Sequence, residues 1–92
     1  MLTAFMLITC DREHLADVGP ALASIDGVAE VYTTTGSFDY IAVLRVHDME
    51  VLSELVTEGL RQVVGIARTD THVAMREYSP KDIDAAFQIG VD

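Results

Sequence analysis

Apolar residues along the 92-residue chain gather into four short runs, and two stretches between them carry helical spacing. The first run, Thr3 to Cys10, holds Ala4, Phe5, Met6, Leu7 and Ile8 almost without interruption. It is too short for an ordinary helix and predicts a central strand covered on both faces. Asp11, Arg12 and Glu13 break the run. Leu15, Val18, Leu22 and Ile25 then recur at intervals of three and four, predicting a helix over Leu15 to Ile25. Pro20 lies inside that pattern and removes a backbone hydrogen bond anywhere but in the first turn, so the regular part of the helix is expected to start late. Asp26-Gly27 closes it, and Val28 to Thr35 reads as a second strand. Gly36-Ser37 turns the backbone into a third strand, Asp39 to Val46, which is apolar except at Arg45 and so also expected to be central.

Asp48 suits a helix N-cap, and Met49, Leu52, Val56, Leu60 and Val63 follow as one apolar stripe with Leu55 beside it. Glu50, Glu54 and Glu58 form an acidic stripe elsewhere on the same helix, expected to face water. A fourth strand, Gly65 to Glu77, alternates: Ala67, Thr69, Thr71, Val73 and Met75 share one face, and Arg68, Asp70, His72 and Arg76 share the other. Ser79-Pro80-Lys81-Asp82 has helix-entry chemistry, and Ile83, Ala86 and Phe87 predict a short C-terminal helix with Phe87 buried. This tail, residues 79–92, packs either on a neighbouring subunit or back on its own chain.

One internal echo organises these elements. Ile25-Asp26-Gly27-Val28-Ala29 returns in type as Val63-Val64-Gly65-Ile66-Ala67, each time where a helix gives way to a strand. Two strand-helix-strand halves make a βαββαβ chain, the α+β ferredoxin-like fold, with an antiparallel sheet and both helices on one face. The other face is left open. Packing two such sheets face to face, as a dimeric α/β sandwich, is the simplest way to cover it.

Composition adds three constraints. Half of the residues are hydrophobic, more than one small core needs, which favours an oligomer. A formal charge of −9 argues against direct nucleic-acid binding. Cys10 is the one cysteine, so no internal disulfide, zinc site or iron–sulfur centre is available, and a reducing cytoplasm is the expected location. No basic leader or membrane-length apolar run appears, so no membrane association is expected.

Specific chemistry is sparse. A metal chaperone needs paired cysteines, and an RNA-recognition sheet needs exposed aromatics amid basic residues, which Phe5, Tyr32, Phe38 and Tyr40 in so acidic a chain do not provide. His14 and His47 fall at predicted helix entrances, where solvated histidines are expected. His72 shares the polar strand face with Asp70 and Arg68, and a His/Asp pair lining a cavity is capable of acid–base work. The densest gathering of functional groups is the predicted hairpin tip, with hydroxyls on Thr35 and Ser37, the flexible Gly36, the Phe38 and Tyr40 rings and the Asp39 carboxylate.

Thr35-Gly36-Ser37-Phe38-Asp39-Tyr40, followed by an apolar strand, an amphipathic helix and the strand Gly65-Ile66-Ala67-Arg68-Thr69-Asp70-Thr71, resembles the effector domain of the Lrp/AsnC family. This RAM domain takes its name from the regulation of amino acid metabolism. The resemblance covers Thr3 to Tyr78, which makes residues 1–78 the ligand-binding domain. Typical members of the family also carry an N-terminal helix-turn-helix, whereas this sequence starts at the first effector-domain strand and so resembles a stand-alone RAM protein. The resemblance implies a non-enzymatic, cofactor-free domain that binds an amino acid. It also implies dimers that assemble into octameric or decameric rings with effector held between them, and co-assembly with a full-length relative.

Carried onto this chain, the family's glycine-aspartate hairpin falls on Gly36 and Asp39, flanked by Phe38 and Tyr40, and its hydroxyl-bearing strand falls on Thr69 and Thr71. Asp39 suits an α-ammonium; amides around Gly36 and the hydroxyls suit an α-carboxylate. A plain turn glycine and a turn-stabilising carboxylate are the competing readings of the same two residues. The expected function is an amino-acid sensor and assembly module of the transcription-regulator type. The alternatives are a dimeric α/β-barrel enzyme, oxygenase-like, using His72, Asp70 and Arg68, and a ligand-free structural partner.

Overall fold

The computed structural model describes residues 1–80. Strand β1 (Leu2–Cys10) runs through a 3-10 turn (Arg12–His14) into α1 (Leu15–Ala23). Strands β2 (Val28–Thr33) and β3 (Tyr40–Val46) then form a hairpin, and α2 (Met49–Thr57) with a second 3-10 turn (Gly59–Gln62) leads to β4 (Ile66–Val73). All pairings are antiparallel and the strand order is β2-β3-β1-β4, the predicted ferredoxin-like arrangement with β1 and β3 central. The predicted C-terminal helix with Phe87 lies outside the described residues.

Register fixes which side chains meet. Residues directly opposed on neighbouring strands share a face, so the pairs Ala4–Leu44, Met6–Ala42 and Ile8–Tyr40 put these six residues on the helix side. All are buried, and with Val18, Leu22, Leu52, Leu55, Leu60 and Val63 they make the core. The alternate pairs Thr3–Arg45, Phe5–Val43 and Leu7–Ile41 face the other way, onto a side that no helix covers. Phe5 is 42% exposed there. Within one chain, then, helices cover the central strands on one face only, which is the open face expected of a single subunit.

Both glycines of the internal echo have positive φ, 98° at Gly27 and 105° at Gly65, the backbone state that glycine adopts without strain. Asp48 caps α2 as expected, its Oδ1 accepting from the Val51 amide at 2.9 Å. Several boundaries differ from the sequence reading. Helix α1 starts at Leu15, so Pro20 sits mid-helix and not in the first turn; Ala16, whose carbonyl it leaves unbonded, is exposed, and water can satisfy that group. The helix stops at Ala23, short of Ile25. The stripe on α2 is interrupted at Thr57 and resumes in the 3-10 turn, which carries Leu60 into the core, while Met49 stays 55% exposed. Strand β4 ends at Val73, opposite Ala4 and short of Glu77; beyond it the Ala74 amide still donates to the Thr3 carbonyl at 2.8 Å.

His14 is a further correction. It was expected to be solvated, but its ring is wedged against the turn before β4, and its Nδ1 is buried without a hydrogen-bond partner among the described residues. A Cβ on Gly65 would lie 2.3 Å from the Cβ of His14. Glycine is therefore required at that position by the close approach as well as by φ.

Candidate ligand site at the hairpin tip

Strands β2 and β3 are both shorter at the turn than predicted, so six residues, Thr34 to Asp39, form the tip. Four hydrogen bonds fix it. The Thr34 amide donates to the Asp39 carbonyl at 3.1 Å, and the Thr34 hydroxyl to the Phe38 carbonyl at 2.9 Å. The Asp39 amide donates to the Ile8 carbonyl at 2.8 Å, and one oxygen of its carboxylate, Oδ2, accepts from the Cys10 amide at 2.7 Å. Asp39 thus ties the hairpin to the end of β1, a strand 29 residues earlier. The carboxylate does have a structural duty, but to a distant amide and not within its own turn.

Beyond this anchor the tip is open. Thr35, Gly36 and Ser37 are exposed, and the two hydroxyls have no partner among the described residues. Gly36 has a φ of 100° and nothing within 4 Å of where a Cβ would stand, so glycine is there for backbone conformation alone. Phe38 is half-buried. Tyr40 is not part of the exposed tip: it is 5% exposed, faces α1, and its hydroxyl donates to the Leu15 carbonyl at 2.5 Å. Its ring fits because residue 19 is glycine; a Cβ there would come within 2.8 Å of Tyr40 Cε1.

Thr69 and Thr71 stand opposite Ile8 and Met6, hence on the helix side of β4. Strand β1 separates them from the hairpin. Two strand spacings put roughly 10 Å between the β3 and β4 backbones. One chain therefore does not bring these threonines and the tip onto a single small ligand. Thr69 is exposed and Thr71 half-buried, so both remain available to a ligand that approaches β4 separately.

The open face carries a polar network that the alternation of β2 could have revealed. Glu30 accepts from the Tyr32 hydroxyl with one oxygen and from Arg45 Nη1 at 2.6 Å with the other. The Tyr32 hydrogen bond, then the Arg45 one, hold the Glu30 carboxyl below the usual range, and the same Glu30 contact raises the Tyr32 phenol. On β4, His72 Nε2 and Asp70 Oδ1 do pair, at 3.2 Å, with both side chains more than half exposed. Cys10, at the anchor, has its thiol pKa raised by burial and then by the Asp39 and Asp11 charges. Among the described residues no group of three or more potential metal ligands occurs, and no helix is long and apolar enough to cross a membrane.

The sheet order and the single helical layer define an α+β domain of the ferredoxin-like class. The chain belongs to the Lrp/AsnC ligand-binding domain family, whose pattern matches residues 3–83. It is 30% identical over 79 residues to the leucine-responsive regulatory protein of Escherichia coli, covering 83% of this chain and 48% of that protein. It spans about half the length of the curated relatives it matches, which are transcriptional regulators. A crystal structure from Thermus thermophilus superposes with a TM-score of 0.80 at 40% identity, over 86% of this chain and 99% of that one. The Neisseria meningitidis transcriptional regulator, solved as a complex with L-methionine, shares the fold at a TM-score of 0.76 and 20% identity, over 85% of this chain and 52% of that one.

Proposed function

We propose that this domain is an amino-acid sensor and assembly module that receives its effector at the hairpin tip. The observation that carries the reading is a tip held rigidly at its base while its recognition groups stay uncommitted. Asp39 uses one oxygen on Cys10 and keeps Oδ1 for an α-ammonium; the exposed amides and hydroxyls of residues 35–37 suit an α-carboxylate. Membership of the Lrp/AsnC ligand-binding family supports an effector of this class, as do a relative named for its response to leucine and a structural neighbour solved with L-methionine. The wide separation of Thr69 and Thr71 from the tip favours a ligand held between copies, with the tip supplied by one and β4 by another. Pairing of open sheet faces makes the dimer, and dimers joined through their tips make octameric or decameric rings. A longer relative with a DNA-binding segment is a natural co-assembly partner, and the acidic chain itself makes no nucleic-acid contact.

If effector contacts differ between two assembly states, the ligand shifts their balance by that difference in affinity. Sedimentation velocity with each of the twenty amino acids at millimolar concentration, paired with thermal unfolding, tests this. One or two amino acids should change the distribution of species and raise the midpoint, since ligand at a hundredfold excess over its dissociation constant adds about 2.7 kcal/mol. Identical sedimentation and midpoints across the whole panel would defeat the proposal.

A further inference from the structure

Two pairs of acidic and basic side chains flank the apolar centre of the open sheet face. On the β2–β3 side Glu30 holds Arg45 at 2.6 Å, and the guanidinium keeps its charge at any physiological pH. On the β4 side Asp70 Oδ1 lies 3.2 Å from His72 Nε2, and here the basic member is an imidazole, which gains or loses its proton between pH 5 and 8. The register places His72 opposite Phe5 and Asp70 opposite Leu7. A second copy that covers Phe5 and Leu7 therefore covers this pair as well, whereas in one subunit its side chains are 61% and 51% exposed.

No neighbouring group takes over the role of His72. On β4 the same face carries Arg68, and Arg76 and Glu77 follow past the strand end; among the described residues neither arginine forms an ion pair with Asp70. Strand β1 puts no titratable side chain on this face. Beyond it lie Arg45, Glu30 and Tyr32, already bonded to one another. With His72 neutral, joining two faces takes the Asp70 carboxylate out of water with no cation beside it. With His72 protonated, the same step buries an ion pair, and a buried charge costs far less when it is paired.

We propose that the His72–Asp70 pair makes the face-to-face joining of two subunits pH-dependent. Protonation of His72 tightens the dimer, and the dimer loosens as pH rises through the histidine range. This rests on the pairing of open sheet faces and adds its regulation. Each dimer holds the pair once per subunit, so the effect of one proton counts twice.

The test follows exchange between isotope-labelled and unlabelled subunits of the full 92-residue chain by native mass spectrometry, after mixing at about pH 6 and about pH 8 at one ionic strength. Mixed dimers form only when face-to-face pairs part. They should form at least about tenfold faster at the higher pH, since differences in affinity between closely related complexes lie mainly in dissociation rates. His72→Gln can still donate to Asp70 but never carries charge, and it should exchange at the faster rate at both pH values. Asp70→Asn should also remove the difference, whereas the exposed His47→Gln should keep it. His72 and Asp70 lie outside the core, so these variants fold. Equal native rates at the two pH values, or a native pH response retained in His72→Gln, overturn the proposal while leaving the pairing in place. Faster exchange at the lower pH overturns it too, because imidazolium groups would then repel each other across the interface. A chain that is monomeric at both pH values removes the pairing together with its regulation.

Discussion

Replacing Asp39 separates its two roles, because alanine removes the anchor and the charge together while asparagine removes only the charge. Asp39→Ala leaves the part-buried Cys10 amide without its 2.7 Å acceptor. An unsatisfied buried donor costs about 1–3 kcal/mol. Each kcal/mol lowers the midpoint of a domain this size by about 4–8 °C, so a fall of roughly 5–20 °C is expected. Asp39→Asn keeps a carbonyl oxygen where Oδ2 stood and loses only the charge assistance, a cost of about 1 kcal/mol or less. Thermal unfolding at fixed protomer concentration reads these values, and hydrogen exchange at Cys10 localises them: fast in the alanine variant, near native in the asparagine variant. The asparagine variant should nonetheless lose the effector-induced rise in midpoint, because a neutral amide no longer attracts an ammonium. An alanine variant as stable as the native chain, with Cys10 still protected, would refute the anchoring role. An asparagine variant that still responds fully to effector would refute the binding role.

Three further outcomes follow from the geometry. Gly19→Ala should destabilise by up to about 2 kcal/mol in urea unfolding, since overpacking Tyr40 at 2.8 Å costs about 1–3 kcal/mol and the helix-propensity gain returns about 1 kcal/mol of it. The Cys10 thiol should react with iodoacetamide at pH 8 more slowly than free cysteine, because its raised pKa leaves less thiolate, and Asp39→Asn should quicken it by removing one negative neighbour. Glu30 should titrate by carbon NMR below the ordinary value of 4.5, and its midpoint should rise in Tyr32→Phe and in Arg45→Ala. A depressed carboxyl contributes stability that is complete above its unfolded pKa and lost as pH falls through the lower folded value, so the Glu30 contribution disappears only below about pH 4.5.

The element order was legible because period-two and period-3.6 patterns are properties of adjacent residues, and because the paired glycines at 27 and 65 mark each helix-to-strand step. Strand ends were not, since a ladder is a contact between strands and not a property of one of them: β4 leaves its ladder at Val73, opposite Ala4, although the alternation runs on to Glu77. The tip was visible as a cluster of functional groups, but the side of the sheet each group takes depends on register. Tyr40 adjoins the motif in sequence and yet points into the core, opposite Ile8. The bond from Cys10 to Asp39 spans 29 residues, and no local pattern announces it. His14 was misread for a related reason, as its partial burial comes from the turn at Gly65, far along the chain.

The distribution of charge decides which face can meet another copy. The helices and their adjoining turns carry Asp11, Glu13, Asp17, Asp26, Asp48, Glu50, Glu54 and Glu58 against only Arg12 and Arg61. On the open sheet face the ladder residues balance, Glu30 and Asp70 against Arg45 and Arg68, around a centre of Phe5, Leu7, Ile41 and Val43. Two helix layers repel each other; two sheet faces do not. Phe5→Glu should therefore leave a folded chain, since Phe5 is 42% exposed in the single subunit, and yet dissociate the assembly, since pairing would bury an uncompensated charge at a cost of several kcal/mol. Met6→Glu, one residue along and fully buried on the helix side, should instead unfold the chain. Circular dichroism and sedimentation of the two variants separate the effects. Persistence of the native assembly in folded Phe5→Glu would mean that the subunits meet elsewhere and that the apolar centre of the sheet stays in water.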